Sequence, residues 1–325
     1  MQKVHKILAI DGGGIRGIIP AIVLTEIERR SGQSIVTLFD LIAGSSTGAM
    51  LAMGLTVPDE QGNPRFTAED MARLYEVEGP LIFSRSLWRT MRGVNNITSV
   101  KYPSEGIDTV LDDCFGDLNL SDSLGNVLIT SYEIQRRQPW FFRSRKARLS
   151  SHCDFKMRDV VRASTAAPTY FEPAQIFHPD AEGFFALIDG AMTANNPALS
   201  AYVEARDKNP DQRDFMLVSL GTGDIKEPIA FEDARSWGLA GWAQHLMDIN
   251  FDAMSSTVDY QLKRLLPICR DGQQHYYRFQ TRLTGASDTL DDINPKNIAR
   301  LKELANLLID QNDERIDRLV EMLLV

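Results

Sequence analysis

Long apolar runs are missing. Nowhere does this 325-residue chain approach the roughly 20 consecutive apolar residues that a membrane-spanning helix needs. Cysteine is scarce: Cys114, Cys153 and Cys269 are far apart and odd in number. They offer neither a C-x-x-C zinc spacing nor an even disulfide framework, and a reducing cytosol is the expectation. Positive charge is in deficit, with 35 Lys and Arg against 44 Asp and Glu, a net charge of −9. That balance argues against a general grip on a nucleic acid polymer, where phosphate binding rests on Lys and Arg. The start, "MQKVHKILAID", runs straight into an apolar segment with no signal-like region, so no leader is expected.

What is present is ordinary globular material, 43% hydrophobic and 24% charged. Short apolar runs alternate with helical patterns: "KILAID", then "IIPAIVLTEIERR"; "LFDLIAG", then "TGAMLAMGL"; later "NVLITSYEI", "FFALID" and "DFMLVSLGT". Such alternation predicts an α/β fold with a mostly parallel central sheet and helices on both faces. Two tail helices are expected. Asn294 can cap the first and Pro295 suits its first turn, with Ile298, Leu301, Leu304, Ala305 and Leu308 on one face. Ile316, Leu319, Val320 and Leu323 repeat the pattern after the polar break "DQNDE". No repeat, low-complexity tract or linker divides the chain, so one domain over 1–325 is expected.

Gly12, Gly14 and Gly17 spell G-x-G-x-x-G, the dinucleotide fingerprint. That reading needs an acid about 20 residues on, at the end of the second strand, to hold ribose hydroxyls. Here Asp40 lies near the beginning of "LFDLIAG", and the strand ends in "GSSTG". A phosphate loop fails too, because no Gly-Lys-Ser/Thr follows the glycines.

The replacement is more telling. Gly44-Ser45-Ser46-Thr47-Gly48 is G-x-S-x-G between a predicted strand and a predicted helix, the context of a nucleophile elbow; an ordinary turn of small residues is the plain alternative. Gly44 and Gly48 remove side chains where the turn is sharpest. A serine nucleophile needs an oxyanion hole, and bare amides of Gly12, Gly13 and Gly14 can supply one. Arg16 either orients that loop, adds positive charge, or forms a surface ion pair.

The base is less obvious. Of His5, His152, His178, His245 and His275, only His245 and His275 fit the usual Ser–acid–His order, and neither stands in a telling context. Asp189, at the end of "FFALID" and followed by Gly190, is the better candidate for a direct Ser46–Asp189 pair; shaping its own turn is the alternative.

"DGGGIRG", "GSSTG", "DGA", "RASTAAPTYFEP" and "VSLGTGD" together, in this order across 5–225, resemble the patatin-like phospholipase family. The resemblance implies a three-layer α/β/α fold and a serine lipid acyl hydrolase of phospholipase A type that needs no cofactor or metal. It implies catalytic Ser46 and Asp189, an oxyanion hole at Gly12, Gly13 and Gly14, and a loop walling the site at "RASTAAPTYFEP". Gly190-Ala191 after Asp189 stays within the family's D-G-G or D-G-A pattern. The 226–325 part, expected to be helical, carries no motif used for function.

An interfacial enzyme must reach its lipid. "FSRSLWRTMRG" sets Phe83, Leu87, Trp88 and Met91 among Arg85, Arg89 and Arg92, a pattern able to lie on anionic headgroups or to form a solvated helix with a core-facing aromatic. "RRQPWFFRSRKAR" holds six basic and no acidic residues from Arg136 to Arg148. It reads as a lipid-phosphate or regulatory-anion contact, or as solvated hairpin ends. Bacterial members of the CapV type are similar in size and are switched on by a cyclic dinucleotide in antiphage signalling. The expected partners are therefore a phospholipid membrane surface touched peripherally on its cytoplasmic face, a cyclic dinucleotide activator, and a second copy of the chain. The competing reading is a nucleotide- or partner-binding signalling protein with weak or latent esterase activity.

Overall fold

The computed structural model describes residues 4–83, 100–180, 182–212, 214–224, 228–266 and 275–325. Eight strands form one sheet in the order β5-β6-β3-β2-β1-β7-β8, with β4 paired to β3. The parallel part is β3 (Val127–Glu133), β2 (Leu41–Gly44), β1 (His5–Ile10), β7 (Phe215–Leu220) and β8 (Tyr276–Phe279). β4 (Gln138–Arg143), β5 (Ala174–Phe177) and β6 (Phe184–Ile188) add an antiparallel extension.

Side-chain alternation assigns the layers. In β1, Leu8 and Ile10 join the larger apolar cluster, while Ile7 and Ala9 join a smaller one on the opposite face. Both faces are therefore covered, which is why the run "KILAI" is apolar throughout. The larger cluster takes in α1 (Ile18–Ser31), α2 (Thr47–Gly54), α3 (Ala68–Ile82), α4 (Glu105–Phe115), α5 (Met157–Ser164), α8 (Pro295–Gln311) and α9 (Asp313–Leu324). The smaller one uses Ala198, Ala201, Tyr202 and Ala205 of α6 (Ala198–Lys208) and Leu262 of α7 (Leu239–Leu265). The single turns at Ile35–Leu38, Ser144–Ala147, Ala191–Ala194 and Phe231–Ala234 are left unnumbered.

The fold is thus the expected three-layer α/β/α arrangement. The tail helices start as read: the Asn294 side chain accepts from the Lys296 amide, and Pro295 occupies the first turn. One feature of the C-terminal part differs from the helical expectation. β8 lies within it and extends the parallel sheet beside β7, reached by a connection that contains the 27-residue α7.

The strand order reverses at β1. The chain leaves β1 towards β2 and β3 on one side and later returns to β7 and β8 on the other. In open α/β sheets such a reversal opens a crevice at the carboxyl ends of the strands. The glycine loop after β1 and the loop after β7 meet there, where the Thr222 hydroxyl donates to the Gly12 carbonyl at 2.6 Å.

Candidate active site

Ser46 sits between β2 and α2 with φ 52° and ψ −120°, a left-handed conformation that L-residues adopt rarely. The flanking glycines make the turn sterically feasible. A Cβ on Gly44 would run into the Gly48 carbonyl, and one on Gly48 into the Ile10 carbonyl. The Ser46 amide donates to Ser164 Oγ at 2.9 Å, which helps hold the strained residue.

The Ser46 hydroxyl donates to Asp189 Oδ2 at 2.7 Å. The other carboxylate oxygen, Oδ1, accepts from the Ala191 amide at 2.7 Å. Asp189 is 3% exposed, and burial pushes its carboxyl up to about 7, with the Ala191 amide and the Ser46 hydroxyl pulling the other way. A Cβ on Gly190 would strike the Thr130 carbonyl, so this turn too requires glycine. Asp189 does not follow a strand of the parallel part of the sheet. β6 is antiparallel, and it pairs with β3 through Tyr132–Ile188 and Glu133–Leu187 alone. That offset, rather than strand direction, carries Asp189 past the end of the ladder to Ser46.

The glycine loop lies against the same place. A Cβ built on Gly12 would come 3.2 Å from Ser46 Cβ. Gly12, however, already donates its amide to the Asn195 carbonyl at 3.0 Å. Of the three expected oxyanion donors, the amides of Gly13 and Gly14 are the two with no acceptor among the described residues. Arg16 is tied back to the loop: its Nε donates to the Gly13 carbonyl at 3.2 Å, and the negative charges of Asp288, Asp248 and Asp252 favour its charged form against burial.

Three supports escaped the sequence reading. Ser164 ties both halves together, since its hydroxyl takes the Ser46 amide and its carbonyl takes the Gly190 amide at 2.9 Å. Leu290, far along the chain, accepts the Ile15 amide at 2.8 Å and fills the space a Gly14 side chain would need. Asp11, which opens the glycine loop, is held by both terminal nitrogens of Arg278 at 3.0 and 2.6 Å, with both side chains nearly buried. Ser164 lies inside "RASTAAPTYFEP", but several small residues there compete for the role, and periodicity does not separate them. Nothing local marks Leu290 or Arg278.

A narrow apolar cavity of about 70 Å³ opens beside Ser46 and Gly14. Met50, Leu74, Ile82, Val110 and Phe171 line it, with Thr165, Ala167 and Tyr170 from the expected walling loop. Among the described residues no histidine bonds Ser46 or Asp189. His275 Nδ1 meets the Phe215 carbonyl at 2.9 Å, and His245 stacks on Trp237 with centroids 4.3 Å apart.

Three of the six basic residues from Arg136 to Arg148 are engaged within the chain. Arg136 lies over the Phe185 ring, Arg143 pairs with Glu204 at 2.9 Å, and Arg148 donates to the Ser121, Ser123 and Gly125 carbonyls. Of the segment from Phe83 to Arg92, residues beyond Phe83 lie outside the described ones. No helix among the described residues is long and apolar enough to cross a membrane.

A mostly parallel sheet with a serine on a strained strand-to-helix elbow is the framework of a serine ester hydrolase. Residues 8–202 match the family model described as patatin-like phospholipase, and the chain belongs to that family. Membership places it among the carboxylic ester hydrolases. The chain is 31% identical to patatin-like protein 2 of Oryza sativa subsp. indica, over 97% of its own length and 86% of that protein's. It is 30% identical to patatin-like protein 4 of Arabidopsis thaliana, with coverage of 96% and 84%. Among solved structures, VipD from Legionella pneumophila is similar at 13% identity and a TM-score of 0.45, covering 95% of this chain and 67% of that one.

Proposed function

We propose that this chain cleaves fatty acyl esters of membrane glycerolipids through an acyl-enzyme on Ser46, with Asp189 as its base. The carrying observation is the 2.7 Å hydrogen bond to a buried carboxylate from the Oγ of Ser46, a residue that lines an apolar cavity. As Oγ attacks the ester carbonyl, its proton passes to Asp189, and the tetrahedral oxyanion forms against the Gly13 and Gly14 amides. Collapse expels the alcohol, which takes the proton back from Asp189. Water then repeats the sequence on the acyl-enzyme, releasing fatty acid and restoring the Ser46 hydroxyl. The apolar cavity takes the acyl chain, and the dipole of α2 favours the developing charge at its N-terminus.

A fluorophosphonate probe tests the residue assignments directly. Labelling is expected for the wild type, His245→Ala and His275→Ala, and is expected to vanish in Ser46→Ala. Loss of labelling in either histidine variant would return the base to a triad.

Access to lipid calls for peripheral contact with a membrane from the cytoplasmic side. Its support is Trp242, Leu246 and Ile249, which are 43%, 58% and 36% exposed at helical spacing on α7. Fatty-acid release from phosphatidylcholine vesicles, compared with release from monomeric ester, measures that contact. A cyclic dinucleotide activator has the charge of 136–148 as its support, and Arg143 and Arg148 are already engaged within the chain. Vesicle hydrolysis with and without a cyclic dinucleotide panel decides between a constitutive and a gated enzyme.

A further inference from the structure

β5 ends the sheet and, among the described residues, pairs on one side alone, with β6. The register shows which backbone groups are left over. His178 donates its amide to the Gly183 carbonyl, so 178 and 183 form a hydrogen-bonded pair. Such pairs alternate along an antiparallel ladder. Ala174 and Ile176 therefore turn their amides and carbonyls to β6, while Gln175 and Phe177 turn theirs to the open edge. Beside that edge runs a groove of about 540 Å³, bounded by 172–176, α4 and α5.

The groove is unequally charged, with Asp108, Asp112, Asp159 and Glu172 against Arg158 and Arg162. Arg158 is paired with Asp112 at 2.7 Å and Arg162 with Asp108 at 3.1 Å. Asp159 and Glu172 form no ion pair among the described residues. Arg162 is nine-tenths buried, and its Nη1 has no acceptor. At the end of the strand pair, Phe177 and Phe184 are 67% and 37% exposed and pack against each other, with centroids 6.3 Å apart.

We propose that this edge docks an extended basic segment of a partner protein, which adds to β5 as a further strand. Gln175 and Phe177 supply the main-chain hydrogen bonds, as in other strand-addition complexes. Asp159 and Glu172 meet lysine or arginine side chains, and the phenylalanine pair receives an apolar side chain. The same charges disfavour a second copy on this edge, because it would bring another set of acids into the groove. They also repel an anionic lipid surface.

The probe is a fluorescein-labelled eight-residue peptide alternating valine with lysine, titrated by anisotropy into the full chain. It is expected to bind, and to slow amide exchange at Gln175 and Phe177. Gln175→Pro deletes one outward N–H at a position where an edge strand tolerates proline, and is expected to weaken binding about tenfold with melting and ester hydrolysis unchanged. Glu172→Gln is expected to weaken it as well. Should Gln175→Pro not fold, a peptide with alternate N-methylated amides on the wild-type chain reads the same backbone contact, and is expected to bind about tenfold more weakly. The proposal is overturned by equal binding of a valine–glutamate peptide, by undiminished binding to Gln175→Pro or of the N-methylated peptide, or by no binding. Concentration-dependent dimers that Gln175→Pro dissolves would also overturn it, by assigning the edge to a second copy.

Discussion

At the scale of single residues, the site concentrates strain and a shifted charge in two side chains. Holding Ser46 at φ 52° costs on the order of 1–3 kcal/mol, against which the Ser164 hydrogen bond works. Ser46→Gly relieves that strain, so it is expected to abolish hydrolysis while raising stability by about 1 kcal/mol in urea titrations. A variant less stable than wild type would show that the left-handed conformation is not strained here. Asp189 makes a second prediction. In the proposed role of base it must be ionised, so kcat/KM is expected to rise with pH through an apparent pKa of about 7 and fall about tenfold per unit well below it. The same shift works against stability. A carboxyl raised from 3.8 to about 7 favours the folded state below pH 3.8, and that advantage disappears as pH rises through 7. The melting temperature of Asp189→Asn relative to wild type should therefore be more favourable at pH 8 than at pH 5. A constant difference would contradict the shift. The contact between Ser46 and Asp189 was legible because the motif limits their types and the flanking glycines mark their turns. Which glycine amides remain free was not, because Asn195, nearly 200 residues on, decides it for Gly12.

At the scale of elements, the glycine loop depends on strands that no local pattern connects with it. Asp11 ends β1's run into the loop, and Arg278 belongs to β8, two strands away. Breaking a buried pair strands an uncompensated charge, so Arg278→Met is expected to cost about 3–5 kcal/mol and to lower kcat by displacing the Gly13 and Gly14 amides. Adding Asp11→Asn removes the stranded charge and should recover most of the stability. Urea titration and ester hydrolysis on both variants check this; a double variant no better than the single would mean that Arg278 acts through packing rather than charge. β8 begins at Tyr276, directly after His275, in a run that is largely aromatic. No local pattern reports that this strand pairs with β7, since a parallel neighbour is chosen by tertiary packing. The antiparallel turn of β4 through β6 was illegible for the same reason: apolar runs mark strands without giving their direction.

At the scale of the whole molecule, the family match ends at 202, yet the last third of the chain closes the larger core. α8 and α9 lie against α1, where Arg30 reaches Asp313 at 2.7 Å and Asp317 at 2.6 Å. The Lys6 ammonium of β1 donates to the Leu323 carbonyl at 2.7 Å, so the first strand and the last helix are tied together. The helical period of this tail was readable; its partner was not, because an apolar face states that it must be covered without naming what covers it. Removing α9 alone makes the dependence measurable. Ile316, Leu319, Val320 and Leu323 are all at most 6% exposed. Burying each such side chain contributes about 1.5–3 kcal/mol, and four together approach the roughly 5–15 kcal/mol that holds a whole protein folded. A chain ending at residue 312 would also bare the apolar faces of α1 and α8. It is expected to melt without a cooperative transition, or to aggregate, and to hydrolyse no ester although Ser46, Asp189 and every glycine of the site remain. A truncated chain that unfolds cooperatively within a few degrees of wild type and keeps its activity would make α9 an accessory, and would place the folding unit nearer to the span that the family model matches.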